Sequence, residues 1–165
     1  MWFMVGGRVV IVAGMLAGLA GGAGAQTWEG QPAGAEGRCE LSVADAGYRL
    51  VFSFEPDGRV VMTYTDEQLA GRRRGETPAT LSLVSGKGKT SDFLARGVLK
   101  QTDNGPLLVT TILPQMPSAD FGASMIEALR GARTIVVAVP AMKSERSIDM
   151  AAAAASLDGV AACHK

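Results

Sequence analysis

The sequence predicts an α+β fold: a mostly antiparallel β-sheet or sandwich with one or two short helices, the C-terminal helix tied down by a disulfide. Three observations predict it. Short runs alternate apolar and polar residues with period two between Gly, Pro, Asp and Ser clusters. Helical spacing is clear in one stretch, around residues 121–129. Two cysteines, Cys39 and Cys163, lie far apart in the chain. No repeat of fixed period emerges, and strands outnumber helices.

Residues 1–25 read as a cleavable secretory signal peptide. Arg8 precedes the apolar run 9–19, and Ala23, Gly24 and Ala25 supply the small-x-small pattern that places the cut before Gln26. An uncleaved anchor is the other reading, but residues 18–24 are too glycine-rich to lengthen the span. Residues 26–37 are expected to be a flexible lead-in in which Trp28 is the lone large apolar side chain, and residues 38–165 a single β-rich domain. Of the 16 Lys plus Arg, Arg8 leaves with the leader, so 15 face 16 Asp plus Glu. A net charge near zero predicts no nucleic-acid partner. The expected location is periplasmic or secreted, with no membrane anchor after cleavage.

Along the domain, Tyr48, Leu50, Phe52 and Phe54 alternate with polar or smaller residues, and residues 60–64 resume a β-branched and aromatic run after Pro56, Asp57 and Gly58. This is a hairpin with turn chemistry. Residues 66–78, with Arg72, Arg73 and Arg74, read as an exposed connection. Leu81 and Leu83 begin a strand that residues 86–89 break, and residues 93–99 offer it a partner; residues 106–113 form an apolar run bounded by Gly105 and Pro114. The period then changes: Phe121, Met125, Ile126 and Leu129 mark an amphipathic helix, with Ser118 as N-cap, Asp120 in the first turn, and Arg130 and Gly131 at its end. Residues 134–139 and 146–150 pair as antiparallel strands, and the alanine-dense residues 151–162 predict a close-packed final helix.

Cys39 and Cys163 form a disulfide or remain two separately buried thiols. Pairing is the reading taken, because an exported chain oxidises and only one connectivity exists.

Candidate chemistry is sparse. His164, the one histidine, is the penultimate residue and reads as an exposed terminal side chain rather than a catalytic base. Cys163 and His164 resemble the end of a haem-attachment motif, but its first cysteine would fall at Val160. One histidine and two distant cysteines fall short of a zinc set, so no metal and no cofactor is expected. Gly88, Lys89 and Thr90 mimic the tail of a phosphate-binding loop whose first glycine is replaced by Leu83. The carboxylates from Asp45 to Asp158 fall mostly in turns or on solvent faces, and their spacing nominates no catalytic pair.

One asymmetry stands out. Arg72, Arg73, Arg74, Lys87, Lys89, Arg96 and Lys100 face only Glu76 and Asp92 over that span. Should the strands bring Arg72, Arg73 and Arg74 beside Lys87 and Lys89, these five form an anion-binding patch for phosphate or carboxylate groups of an envelope polymer, lipid or acidic protein. The alternative is a solvated surface.

The C-terminal third resembles the invasion-associated locus B family of secreted bacterial proteins. The matching residues are Ala128 to Gly131, residues 134–140 and 148–150, and Ser156, Leu157, Asp158 and Gly159, with Trp28 ahead of Cys39. The chain lacks the internal cysteine pair expected of that family. The resemblance implies a β-rich periplasmic or secreted accessory protein, sometimes linked to host-cell interaction, with no catalytic residues to carry over.

The expectation is therefore a non-catalytic binding or accessory protein of the bacterial envelope, its partner an unknown protein or an anionic envelope component. The alternatives are a hydrolase whose carboxylates meet only in three dimensions and a structural envelope component.

Overall fold

A computed structural model describes residues 26–33, 37–115 and 120–164. The signal peptide reading and the proposed N-cap Ser118 lie outside the described residues. Among the described residues nine strands form one antiparallel sheet: β1 (Thr27–Ala33), β2 (Arg38–Asp45), β3 (Tyr48–Phe54), β4 (Val60–Asp66), β5 (Gly75–Ser85), β6 (Thr90–Thr102), β7 (Gly105–Ile112), β8 (Ala132–Val139) and β9 (Ser144–Asp149). Their order is β1-β2-β3-β4-β7-β6-β5-β8-β9. Helix α1 (Phe121–Gly131) precedes β8, and α2 (Ala154–Cys163) follows β9. The antiparallel sheet, the helices and the disulfide all match the expected class. Of its two forms, a single curled sheet is realised rather than a sandwich.

Register puts one parity of every strand inside. Leu41 pairs with Phe52, Phe52 with Met62, Met62 with Thr110 and Leu81 with Val137, all buried. Each such aliphatic or aromatic side chain contributes about 1.5–3 kcal/mol by leaving water. Curling is tight at β6: a Cβ on Gly97 would lie 1.9 Å from the Val109 carbonyl oxygen, so only glycine allows β6 and β7 to approach this closely there.

The lead-in is corrected. Thr27–Ala33 pairs with β2 along its whole length, from Thr27 opposite Ala44 to Ala33 opposite Arg38, and Trp28 is buried. Its Gly and Pro content hid a strand whose inward position is filled by the indole, while Gly30 leaves room for a helix. A Cβ at Gly30 would lie 2.0 Å from the Ser156 carbonyl oxygen, and Ser156 Oγ donates to the Trp28 carbonyl at 2.9 Å. Helix α2 thus seats on β1. The Trp28 indole N–H donates to the Asp149 carbonyl at 3.0 Å, drawing the two edge strands together at one point.

The disulfide joins Cys39 on β2 to Cys163 at the end of α2, 124 residues apart with a Cα–Cα distance of 6.0 Å. Helix α1 buries Phe121, Met125, Ile126 and Leu129, the spacing read from sequence. Its cap differs from the sequence reading: Asp120 is the N-cap, its Oδ1 accepting the Ala123 amide at 2.9 Å, which satisfies one of the first-turn donors.

Residues 66–78 also depart from a plain exposed connection. Asp66 is buried, residues 67–69 form a 3₁₀ turn, and β5 already runs from Gly75, with Pro78 opposite Arg96. The β5–β8 register begins at Thr80, so Pro78 lies on a stretch of β5 without a second neighbour, where a missing N–H costs no ladder bond.

Candidate functional site

Three polar features emerge, and only one faces outward. Inside, Asp66 at the end of β4 is fully buried. Arg146, inward on β9, donates from Nε to Oδ2 at 2.9 Å and from a terminal nitrogen to Oδ1 at 3.2 Å; the Gln68 amide donates to Oδ1 at 2.8 Å, and the Tyr64 hydroxyl to Oδ2. The guanidinium also stacks over Tyr48, 5.0 Å from the ring centre. Burial alone raises the Asp66 pKa, but hydrogen bonds from Arg146, Tyr64 and Gln68 and the Arg146 charge outweigh it and hold the carboxyl below its ordinary value. Burial and the neighbouring carboxylate push the Tyr64 hydroxyl up. The contacts from Arg146 tie β9 to β4 across the interior.

The second feature is His164. Its side chain is only 8 % exposed, with Nε2 3.1 Å from Asp120 Oδ1 and its ring tilted against Phe54. The expected exposed terminal histidine is corrected: the disulfide at Cys163 carries the next residue against Gly122, whose missing side chain makes room for the imidazole. The Ala123 amide, then His164, lower the Asp120 pKa. The contact links the end of α2 to the start of α1.

The third feature is the outer face of β6. Leu94 and Val98 are 63 % and 40 % exposed, the only large hydrophobic side chains exposed among the described residues. Arg96 and Lys100 alternate with them on the same face and are exposed too. Val98 pairs with Val109 and Lys100 with Leu107, extending the apolar surface onto β7. At the end of this row the Gln101 side chain donates to the Leu69 and Arg72 carbonyls at 3.4 and 3.3 Å, pinning the arginine loop to β6.

Arg72, Arg73 and Arg74 line an open hollow of about 520 Å³ with Met142, and Arg96 and Val98 line a neighbouring one of about 430 Å³; both include Glu76 and Thr77. Among the described residues no ion pair engages Arg72, Arg73, Arg74, Arg96 or Lys100.

The five-residue patch read from sequence is divided. Arg72, Arg73 and Arg74 precede β5, whereas Lys87 and Lys89 occupy the turn after it. An 11-residue strand separates the groups by roughly 30 Å at ~3.3 Å per residue. Sequence proximity misled because a hairpin strand carries its two ends apart. The partners of the arginine loop are instead Arg96 and Lys100, brought beside it because Gly75 pairs with Leu99. Leu94 and Val98 were missed as site residues; their signal was the even parity they share with Arg96 and Lys100, opposite to the inward Phe93, Ala95 and Leu99.

Elsewhere, an open hollow of about 620 Å³ lies between the edge strands, with Trp28, Asp45, Arg133 and Asp149 in its lining. Among the described residues no three of His, Cys, Asp and Glu group as a metal site, and no helix is long and apolar enough to cross a membrane. Fold and surface together define a disulfide-closed curled antiparallel sheet with a basic and apolar outer face. No family model, curated protein or solved structure matches the chain.

Proposed function

We propose that the protein is a non-catalytic binding protein of the bacterial envelope, periplasmic or secreted, which engages an anionic envelope component through the outer face of β6 and the arginine loop. One observation carries the reading: among the described residues five cations make no ion pair with a carboxylate, Arg96 and Lys100 alternating with the exposed Leu94 and Val98 and Arg72, Arg73 and Arg74 lying beyond the Val98 end of that row. Exposed cations attract phosphates and carboxylates, and exposed apolar area favours a partner that covers it. The resemblance to invasion-associated locus B proteins rests on residues of α1, β8, β9 and α2, with Trp28 on β1; some of these touch one another, Arg130 with Asp158 and Ser156 with Trp28, and the resemblance adds a secreted accessory role to the same reading.

The hydrolase alternative has less support. Asp45 and Asp149 line one open hollow, but Asp149 is exposed and its Oδ1 already accepts the Ala151 amide. Asp66, the buried carboxylate, is saturated with donors.

Charge reversal at Arg72, Arg73 and Arg74 tests the proposal. Retention of the purified disulfide-bonded protein on an envelope fraction should fall at least tenfold while the circular dichroism spectrum stays unchanged. Unchanged retention by a folded triple variant would sink the reading.

A further inference from the structure

Building on the proposed binding role, we infer that the anionic component is a phospholipid bilayer surface and that the outer face of β6 lies down on it. The geometry suits a surface better than a small ligand. The hollows beside Arg96 and the arginine loop are open to solvent, whereas small-molecule sites bury most of their ligand. Leu94 and Val98 lie four residues apart on one strand face, about 13 Å at ~3.3 Å per residue, with Arg96 between them and Lys100 beyond. Apolar and cationic side chains alternating along one outward row match the boundary of a bilayer, where acyl carbon lies directly beneath phosphodiester oxygen. Leu94 and Val98 enter the acyl boundary, and Arg96, Lys100 and the arginine loop meet the headgroups.

Charge complementarity also selects among occupants. A second copy packed on this face would bring together two surfaces on which Arg72, Arg73, Arg74, Arg96 and Lys100 outnumber Glu76 and Asp92, so self-association is opposed by the same cationic excess that favours an anionic bilayer. Glu76, opposite Val98, is the acid within the row, and Asp92 lies beyond Leu94, on the side away from the arginine loop. The cations therefore concentrate at the end of β6 where Gln101 holds the loop.

Cosedimentation of the full disulfide-bonded protein with vesicles tests the inference. One set contains equal phosphatidylglycerol and phosphatidylcholine; the other is phosphatidylcholine alone. Binding to the anionic vesicles is expected, with at least tenfold weaker binding to the neutral ones and a steep loss between 50 mM and 300 mM salt. Two folded double variants, Arg96→Glu with Lys100→Glu and Leu94→Ser with Val98→Ser, should each lose binding at least fivefold, whereas Arg59→Glu, on the β3–β4 turn, should not. Soluble glycerol phosphate in excess should leave the protein on the vesicles.

Release by glycerol phosphate, equal binding to both vesicle types, or a concentration-dependent dimer abolished by Leu94→Ser with Val98→Ser would each overturn the bilayer. If the wild type ignores anionic vesicles yet still needs Arg72, Arg73 and Arg74 for envelope retention, the bilayer is wrong and a protein or polymer partner stands. If neither vesicles nor envelope fractions retain it, the binding role falls as well.

Discussion

At Asp66 a carboxylate is held out of water by four donors, and its partner Arg146 reaches it from the last strand of the sheet. Removing one member of such a pair leaves the other buried without compensation, which costs more than the pair itself contributes. Arg146→Ala should therefore lower unfolding free energy by about 3 kcal/mol, measured by urea denaturation. Arg146→Lys should recover part of that loss, because one ammonium cannot reproduce the two-point contact. A pH dependence follows. The folded carboxyl sits below the ordinary 3.8, so its contribution is complete above that value and disappears as pH falls through the lower folded value. An Asp66→Asn variant should lose that acid limb of the stability curve; a limb as steep as wild type would assign it to other carboxylates. Asp66 was partly legible beforehand, since it continues the inward parity of Val60, Met62 and Tyr64. Its partner was not: 80 residues separate it from Arg146, and nothing local pairs them.

Among the elements, β1 and α2 stabilise each other. A strand rich in Gly and Pro offers little propensity of its own, and α2 is alanine-dense with few bulky side chains, so each depends on the close approach at Gly30. Gly30→Ala places a methyl against the Ser156 backbone and should destabilise the protein by about 1–3 kcal/mol, in the range of overpacked sites. As α2 lifts, Trp28 fluorescence should shift to the red. Ser156→Ala, which deletes only the hydrogen bond to the Trp28 carbonyl, should cost about 1 kcal/mol without that shift. A red shift in both variants would mean that the hydroxyl, rather than the fit at Gly30, seats the helix. By contrast, Arg130 bridging Glu127 on α1 and Asp158 on α2 is an exposed pair of contacts at 2.7 Å and adds little. The hairpin of β3 and β4 and helix α1 were readable because their periodicity is local. β1 was not, because its stability comes from what covers it.

For the whole molecule, the disulfide fastens the end of the chain to its second strand. A closed loop of more than 100 residues removes much of the unfolded chain's freedom, and the chain-entropy relation assigns it about 4–5 kcal/mol. Replacing Cys39 and Cys163 together by serine should lower unfolding free energy by several kcal/mol and speed hydrogen exchange first in α2 and at the start of α1, where His164 meets Asp120. An unchanged exchange pattern would show that packing on β1 suffices to hold the helix.

The sequence alone determined the antiparallel class, most strand and helix positions, and the two cysteines available to pair, because hydrophobic period, turn chemistry and cysteine number are local or countable. Tertiary structure decided the order of strands, and with it the surface. It parted Lys87 and Lys89 from the arginine loop by the length of β5 and set Arg96 and Lys100 in their place. It buried His164 against Phe54 and Asp66 against Arg146, and it made Trp28 part of a strand. The physical reason is common to all of these: a sheet places residues by register and strand length, and neither can be counted from the distance between two side chains along the chain.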